Sequence, residues 1–393
     1  MLDSPRACAC ACACARRVVA VALVAAAGAW LCAASGPGVS SRSFGVHNPL
    51  DAPRVSVSVD GLRLDGVGWW PVGINAPQLL STPGMRAGCG ANVNLDAFFA
   101  VVPAHSLVRF NLFQSLVIDQ KRGTLNFDRA DAIFAAAWRH QRLILPVLAP
   151  QDGACDGGLM KDRRWYVDGW QQRQAGAVMS FAQWVSTVVG RFAGSPAIAG
   201  WELVGEPEPT VCADASCGIR SCPADAVVVL RKFFDDAGAL LRSADPRRLI
   251  FAGLLGGDQC GTAGDGYVRV GESPFIDVLT YHDYSGSAAL VAGGGEAGVG
   301  AAAMLDGRLR QARALGKPLV VEELGRAGGS CGSGLRRRDE VAAALEADRA
   351  AGVAGVLLWA FVPDPRVGLC TFDIGPDDPL MGEIGAQTQY PRR

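Results

Sequence analysis

The stretch AIAGWELVGEP, residues 197–207, decides the reading of the fold. Its first eight residues, Ala197 to Val204, are apolar apart from Glu202 and read as a buried strand. Three glutamates, Glu202, Glu206 and Glu208, fall within seven residues of one another at its end. Carboxylates at the end of a buried strand are costly unless they are paired or used in chemistry.

The same pattern recurs along the chain. WPVGINA (70–76), SLVRFNLF (106–113), RLILPVLAP (142–150), RLIFAGLL (248–255), FIDVLTYHDY (275–284), KPLVVEELG (317–325) and VAGVLLWAF (353–361) read as further buried strands. Helical patterns at 94–102, 128–141, 176–194, 223–244, 301–316 and 337–352 lie between most of them. Continuous apolar strands alternating with helices predict a parallel sheet covered by helices, and eight such repeats predict a (β/α)8 barrel. A doubly wound open sheet is the rival. VSVSVDGLRL (55–64) alternates apolar and polar residues and predicts an N-terminal β-hairpin.

Polar residues gather late in the strands: Arg109 and Asn111 in the second, Glu206 after the fourth, His282 and Tyr284 in the sixth, Glu323 in the seventh, Trp359 in the eighth. A barrel brings those ends together on one face. Two glutamates on two strands there suit glycoside hydrolysis. One carboxyl protonates the leaving oxygen, and the other attacks or activates water.

At this point a family resemblance becomes specific. WELVGEP (201–207) resembles the W-E-L-x-N-E-P signature of clan A glycoside hydrolases, above all glycoside hydrolase family 5, the cellulase and mannanase family. KPLVVEELG resembles that family's seventh strand, and YHDY (281–284) its H-x-Y element. The resemblance implies Glu206 as acid/base and Glu323 as nucleophile. It implies Arg109 and Tyr284 near the nucleophile, with His282 and Trp359 lining the reactive subsite. It implies a carbohydrate substrate and no cofactor or metal. One departure stands out: the family has Asn before the acid, where its amide bonds the sugar 2-hydroxyl, and this chain has Gly205. Asn111, Gln114 or His282 could stand in for that amide.

Strand alternation adds detail. Glu202 shares a face with Glu206, one pleat deeper, and is expected to pair with a cation such as Arg109. Glu322 and Glu323 cannot both face the axis of a regular strand, so Glu322 is expected to point toward the helices or cap a loop. Glu208 is expected in a loop. RRWYVDGW (163–170) offers Trp165, Trp170 and Asp168 as a sugar-stacking wall, with packing of its rings onto the barrel as the alternative. Asp373 is a further rim residue.

The formal net charge is −1, which gives no long-range attraction to nucleic acid or anionic membranes. Residues 1–36 read as a signal peptide or membrane anchor, 37–54 as a linker and 55–393 as the catalytic domain. Export would place the chain outside the cell or in a bacterial envelope, as a monomer and away from membrane unless the leader is kept. Eight cysteines follow the leader, and an even number in an exported chain predicts disulfides of open connectivity over a zinc site at Cys212, Cys217 and Cys222. The G-x-G-x-x-G match GGGEAG (293–298) reads as a loop rather than a nucleotide cradle, and GGSCG (328–332) is not a nucleophile elbow.

The expected activity is that of a secreted retaining glycosidase acting on a β-mannan or β-glucan. A furanoside such as a galactofuranan is the competing substrate, raised by Gly205. The reading from another class is a non-catalytic carbohydrate-binding protein on the same barrel.

Overall fold

The computed structural model describes residues 54–81, 89–119, 121–153, 155–156, 160–214, 217–285 and 304–390. The expected leader, nearly all of the linker and the GGGEAG run lie outside the described residues.

The eight apolar runs form eight parallel strands: β1 (Val72–Asn75), β2 (Leu107–Asn111), β3 (Leu143–Val147), β4 (Gly200–Glu202), β5 (Leu249–Phe251), β6 (Leu279–Asp283), β7 (Leu319–Gly325) and β8 (Val356–Trp359). Their order is β5-β4-β3-β2-β1-β8-β7-β6. A parallel bridge between Phe251 and Val278 joins the two ends, with Asp277 and Val278 both donating to the Ile250 carbonyl. The sheet therefore closes into a barrel, which removes the doubly wound alternative.

The strands alternate with α1 (Leu95–Val101), α2 (Asp128–Arg139), α3 (Phe181–Phe192), α4 (Ala226–Ala244), α5 (Gly266–Gly271), α6 (Leu305–Ala314), α7 (Gly334–Ala351) and α8 (Pro379–Gln387). α3 shows how the sequence makes one. Ser180 accepts from the Gln183 amide and the Gln183 side chain accepts from the Ser180 amide, a reciprocal cap. Trp184, Val185, Val188, Val189 and Phe192 then recur at helical spacing and are all buried. α5 and α8 were not legible as helices. α5 is a six-residue helix with glycine at both ends, and α8 opens on Pro379 behind the capping Asp378.

The N-terminal element is larger than a hairpin. Val55–Ser58, Gly61–Leu64 and Val67–Trp69 form a three-stranded antiparallel sheet. The second turn is Asp65-Gly66, both at positive φ, as a two-residue hairpin turn requires. Leu62, Leu64 and Trp69 pack against Leu107, Leu145, Phe251, Val320 and Leu357 inside the barrel. That core seals the N-terminal end, and the polar strand ends gather at the other.

All eight cysteines among the described residues pair: Cys89–Cys155, Cys212–Cys217, Cys222–Cys260 and Cys331–Cys370. The three cysteines between 212 and 222 are thus divided between two disulfides. No helix among the described residues is long and apolar enough to cross a membrane.

Candidate active site

Arg109 stands at the centre of the open end. Along β2 the inward positions are Leu107, Arg109 and Asn111, so one strand goes from apolar core to polar rim. The Arg109 guanidinium donates from Nε to Glu202 Oε2 and from Nη2 to Glu202 Oε1, both at 2.7 Å. Its Nη1 donates to Glu323 Oε1 at 2.7 Å and to Asn75 Oδ1 at 2.9 Å. Asn75 in turn donates to the Glu322 carbonyl at 2.9 Å and the Leu358 carbonyl at 3.3 Å. One amide thus ties β1 to β7 and β8, and turns its oxygen toward Arg109. The sequence reading missed Asn75; its only signal is a polar residue at the end of WPVGINA.

Glu206 follows β4 in a left-handed conformation, φ +57°. Its amide donates to the Gly253 carbonyl at 2.8 Å. Gly253 itself has φ +64°, and a Cβ there would lie 2.3 Å from the Val204 carbonyl oxygen and 2.6 Å from Glu202 Oε1. Only glycine lets the chain after β5 cross so near Glu202. The Glu206 carboxylate is 2.8 Å from His282 Nδ1, and its side chain is 42% exposed. Glu323 accepts from the Tyr284 hydroxyl at 2.5 Å and lies 3.4 Å from the same His282 nitrogen. Ligating atoms of Glu206, His282 and Glu323 all lie within 4.8 Å of one another.

The expectation for Glu322 is overturned. Pairing between β6 and β7 runs Tyr281 with Val321 and then His282 with Glu323, skipping Glu322. The bulge breaks the alternation and turns two consecutive glutamates inward. Glu322 is fully buried, 3.7 Å from Arg109 Nε and 3.7 Å from His282 Nε2.

Two cations therefore sit among four carboxylates. Burial opposes the charge on His282, but Glu323, Glu206 and Glu322 override it and push its pKa up to about 10. Burial pushes Glu202 up to about 8 against the pull of Arg109. The two 2.7 Å bonds from Arg109 use a lone pair on each Glu202 oxygen, the geometry of an ion pair. Burial pushes Glu206 up as well, but the hydrogen bond and charge of His282 outweigh it and leave the carboxyl below its usual range. Glu323 is held above its usual range by burial, against His282 and Arg109. Burial, then the Glu323 charge, keeps the Tyr284 phenol protonated as a donor. The Glu206–His282–Glu323 group is also a donor set of the kind a metal ion uses. The three carboxylates around the ring favour its protonated form, which can hold a proton for Glu206.

Gly205 lies directly over this network. A Cβ there would be 3.1 Å from Arg109 Nη2 and 3.4 Å from Glu202 Oε1. Gln114 does not supply an amide in its place: its Oε1 accepts from the Val178 and Met179 amides and its Nε2 donates to the Met179 carbonyl. Asn111 sits half-buried at the rim end of β2, paired in register with Val147. Trp359, half-buried at the end of β8, borders a cleft of about 310 Å³ together with Gln78, Arg366, Phe372 and Asp373. Asp373 is held there by Arg366 through Nε at 2.8 Å and Nη2 at 2.7 Å.

Trp165, Trp170 and Asp168 are not brought to this centre. The Trp165 and Trp170 rings pack on Phe233 of α4 at 5.5 and 5.8 Å, both are buried, and Asp168 is exposed outside them. Large aromatic rings gain more by fixing the loop to the helix than by facing water. Glu208 also has structural partners. It accepts from the Cys260 amide at 3.1 Å, and the buried Gln151 bonds both its backbone amide and carbonyl.

No protein-family model and no curated protein matches the sequence. The fold is similar to that of an endo-1,4-beta-mannanase from Rhizomucor miehei, with a TM-score of 0.62 at 16% identity over 85% of this chain and 97% of that one. It is similar to the hyperthermostable endo-1,4-beta-D-mannanase from Thermotoga petrophila RKU-1, with a TM-score of 0.59 at 16% identity over 81% and 99%. It is also similar to a glycoside hydrolase family 5 mannosidase from Rhizomucor miehei, with a TM-score of 0.57 at 14% identity over 85% and 96%. At these identities the likeness is one of fold, and it agrees with the resemblance drawn from the sequence motifs.

Proposed function

We propose that this chain is an exported retaining glycoside hydrolase of the β-mannan or β-glucan type. The observation that carries the reading is the pair Glu206 and Glu323, held around one protonated histidine at the open end of the barrel, with atoms of all three within 4.8 Å. Retaining enzymes bring their carboxyl groups to about 5–5.5 Å, whereas inverting enzymes leave ~6.5–9.5 Å for a water. The four disulfides support export.

In the first step Glu323 attacks the anomeric carbon as the bond to the leaving oxygen breaks. That oxygen takes its proton from Glu206. The proton comes from the 2.8 Å His282–Glu206 hydrogen bond, so the low affinity of resting Glu206 does not leave the acid empty. In the second step water attacks the anomeric carbon of the glycosyl–Glu323 ester as the bond from that carbon to the Glu323 oxygen breaks, releasing the carboxylate. Glu206 takes a proton from that water and passes it back to His282. Arg109 and Tyr284 hold Glu323 in place through both steps and stabilise its anion. Trp359 and the adjoining cleft receive the sugar ring.

The test is turnover of a panel of aryl pyranosides, aryl furanosides, mannans and glucans by the wild type, Glu206→Gln and Glu323→Gln. Loss of the acid/base is expected to cost about 10²–10⁴-fold, most severely on poor leaving groups. Binding of these sugars by all three proteins with turnover by none would instead establish the non-catalytic carbohydrate-binding reading.

A further inference from the structure

The bulge in β7 creates a feature that the two-carboxylate mechanism does not use. Among the described residues, both carboxylate oxygens of Glu322 are buried without a hydrogen-bond partner, and so is His282 Nε2. Buried polar atoms are nearly always satisfied, so an orphaned acceptor facing an orphaned donor calls for a physical account. The two groups face each other at 3.7 Å, and the opposite ring nitrogen, Nδ1, is on Glu206 at 2.8 Å. A displacement of under an ångström by either side chain closes the gap to an ordinary charged hydrogen bond.

We infer that Glu322 is a positioning residue for the acid/base step. It holds the His282 ring from below through Nε2, so that Nδ1 carries its proton toward Glu206. Glu322, His282 and Glu206 then form one line from the barrel interior to the open face, with the ring as the proton store. The inference rests on the glycosidase reading for its kinetic consequence, but not for its structural one.

The charged groups around His282 are few and can be named. Glu206 approaches from the segment after β4, and Glu322 and Glu323 from β7. Arg109 of β2 faces the other Glu322 oxygen, Oε1, at 3.7 Å and binds Glu202 of β4 and Glu323, so Glu322 Oε2 is the oxygen left for the ring. Tyr284, at the end of β6, bonds Glu323. Removing the Glu322 charge therefore takes away one of the three carboxylates that favour the imidazolium.

The experiment is Glu322→Gln, which keeps the volume, read in two ways. The first is the pH profile of kcat/KM on whichever aryl glycoside the wild type cleaves. The alkaline limb is expected to move down by one unit or more, with about a tenfold loss of kcat at neutral pH. The second is the titration of His282 by nuclear magnetic resonance in the full chain, which has only four histidines. The ring is expected to hold both protons through pH 8 in the wild type and to lose one at lower pH in Glu322→Gln. An unchanged limb and an unchanged titration overturn the inference. If that variant does not fold, Glu322→Asp, which keeps the carboxylate but draws it back from Nε2, is read by the same titration: an unchanged His282 overturns the inference, and one that loses its proton at lower pH than the wild type supports it. If no glycoside is cleaved by the wild type, the glycosidase reading fails while the titration still tests Glu322.

Discussion

Replacing Gly205 by alanine tests whether the residue before the proposed acid, Glu206, is coupled to the proposed nucleophile, Glu323. The added Cβ would sit 3.1 Å from Arg109 Nη2. An ordinary contact begins near 3.5 Å, so Arg109 or the backbone must yield by about 0.4 Å. Arg109 has little freedom, because four hydrogen bonds of 2.7–2.9 Å hold it to Glu202, Glu323 and Asn75. Any retreat lengthens the bond that places Glu323. A misplacement of 1 Å in a catalytic group costs about 10²-fold, so this smaller one is expected to cost roughly 5–10-fold in kcat. The crowding itself should destabilise the fold by about 1–2 kcal/mol. The assay is kcat and KM on the best aryl glycoside, with a thermal melt of the same preparation. A variant with wild-type kcat and an unchanged melt would refute the contact. A lowered melt with wild-type kcat would refute the coupling of Arg109 to the nucleophile.

The pH profile of the wild type should be bell-shaped. The proposed mechanism needs Glu323 ionised, and its raised pKa means activity falls as pH drops through a value above the usual 4.5. It also needs the proton shared by His282 and Glu206, so activity falls again as pH rises toward about 10; an alkaline limb near 6.5 would contradict the buried imidazolium. Arg109→Met removes both donors that Glu202 uses and strands a fully buried carboxylate, which should cost about 3–5 kcal/mol in denaturant unfolding; a loss below 1 kcal/mol would show that the ion pair does not hold the interior together. The Cys89–Cys155 disulfide spans 66 residues of sequence, and its removal as a double serine variant should cost about 4 kcal/mol, read from the same unfolding curves; an unchanged midpoint would rule out that constraint on the unfolded chain.

The legible part of this protein was the part written in local pattern. Apolar runs of strand length, interleaved with helical periodicity, announced the barrel, and the polar residues that end those runs marked the face where Arg109, Glu206, His282, Tyr284 and Glu323 meet. Glu202 was readable as a deep partner for Arg109 because alternation alone puts it one pleat below Glu206.

What only the tertiary structure decided depends on contacts between segments far apart in sequence. Alternation sends Glu322 outward, and only the pairing of β6 with β7 reveals the skipped residue that turns it in. Asn75 matters because β7 and β8 present carbonyls to its amide, and nothing in its own strand says so. Trp165 and Trp170 looked like a sugar wall because their loop is aromatic; Phe233, more than sixty residues later, claims both rings. The even cysteine count predicted disulfides, but the partners follow from which loops the barrel folds together. Short-range periodicity encodes burial, so the architecture and the chemical types at the open end are legible along the chain. The distances, charges and orientations among those groups were decided only by closure of the barrel, because they arise between strands and not within them.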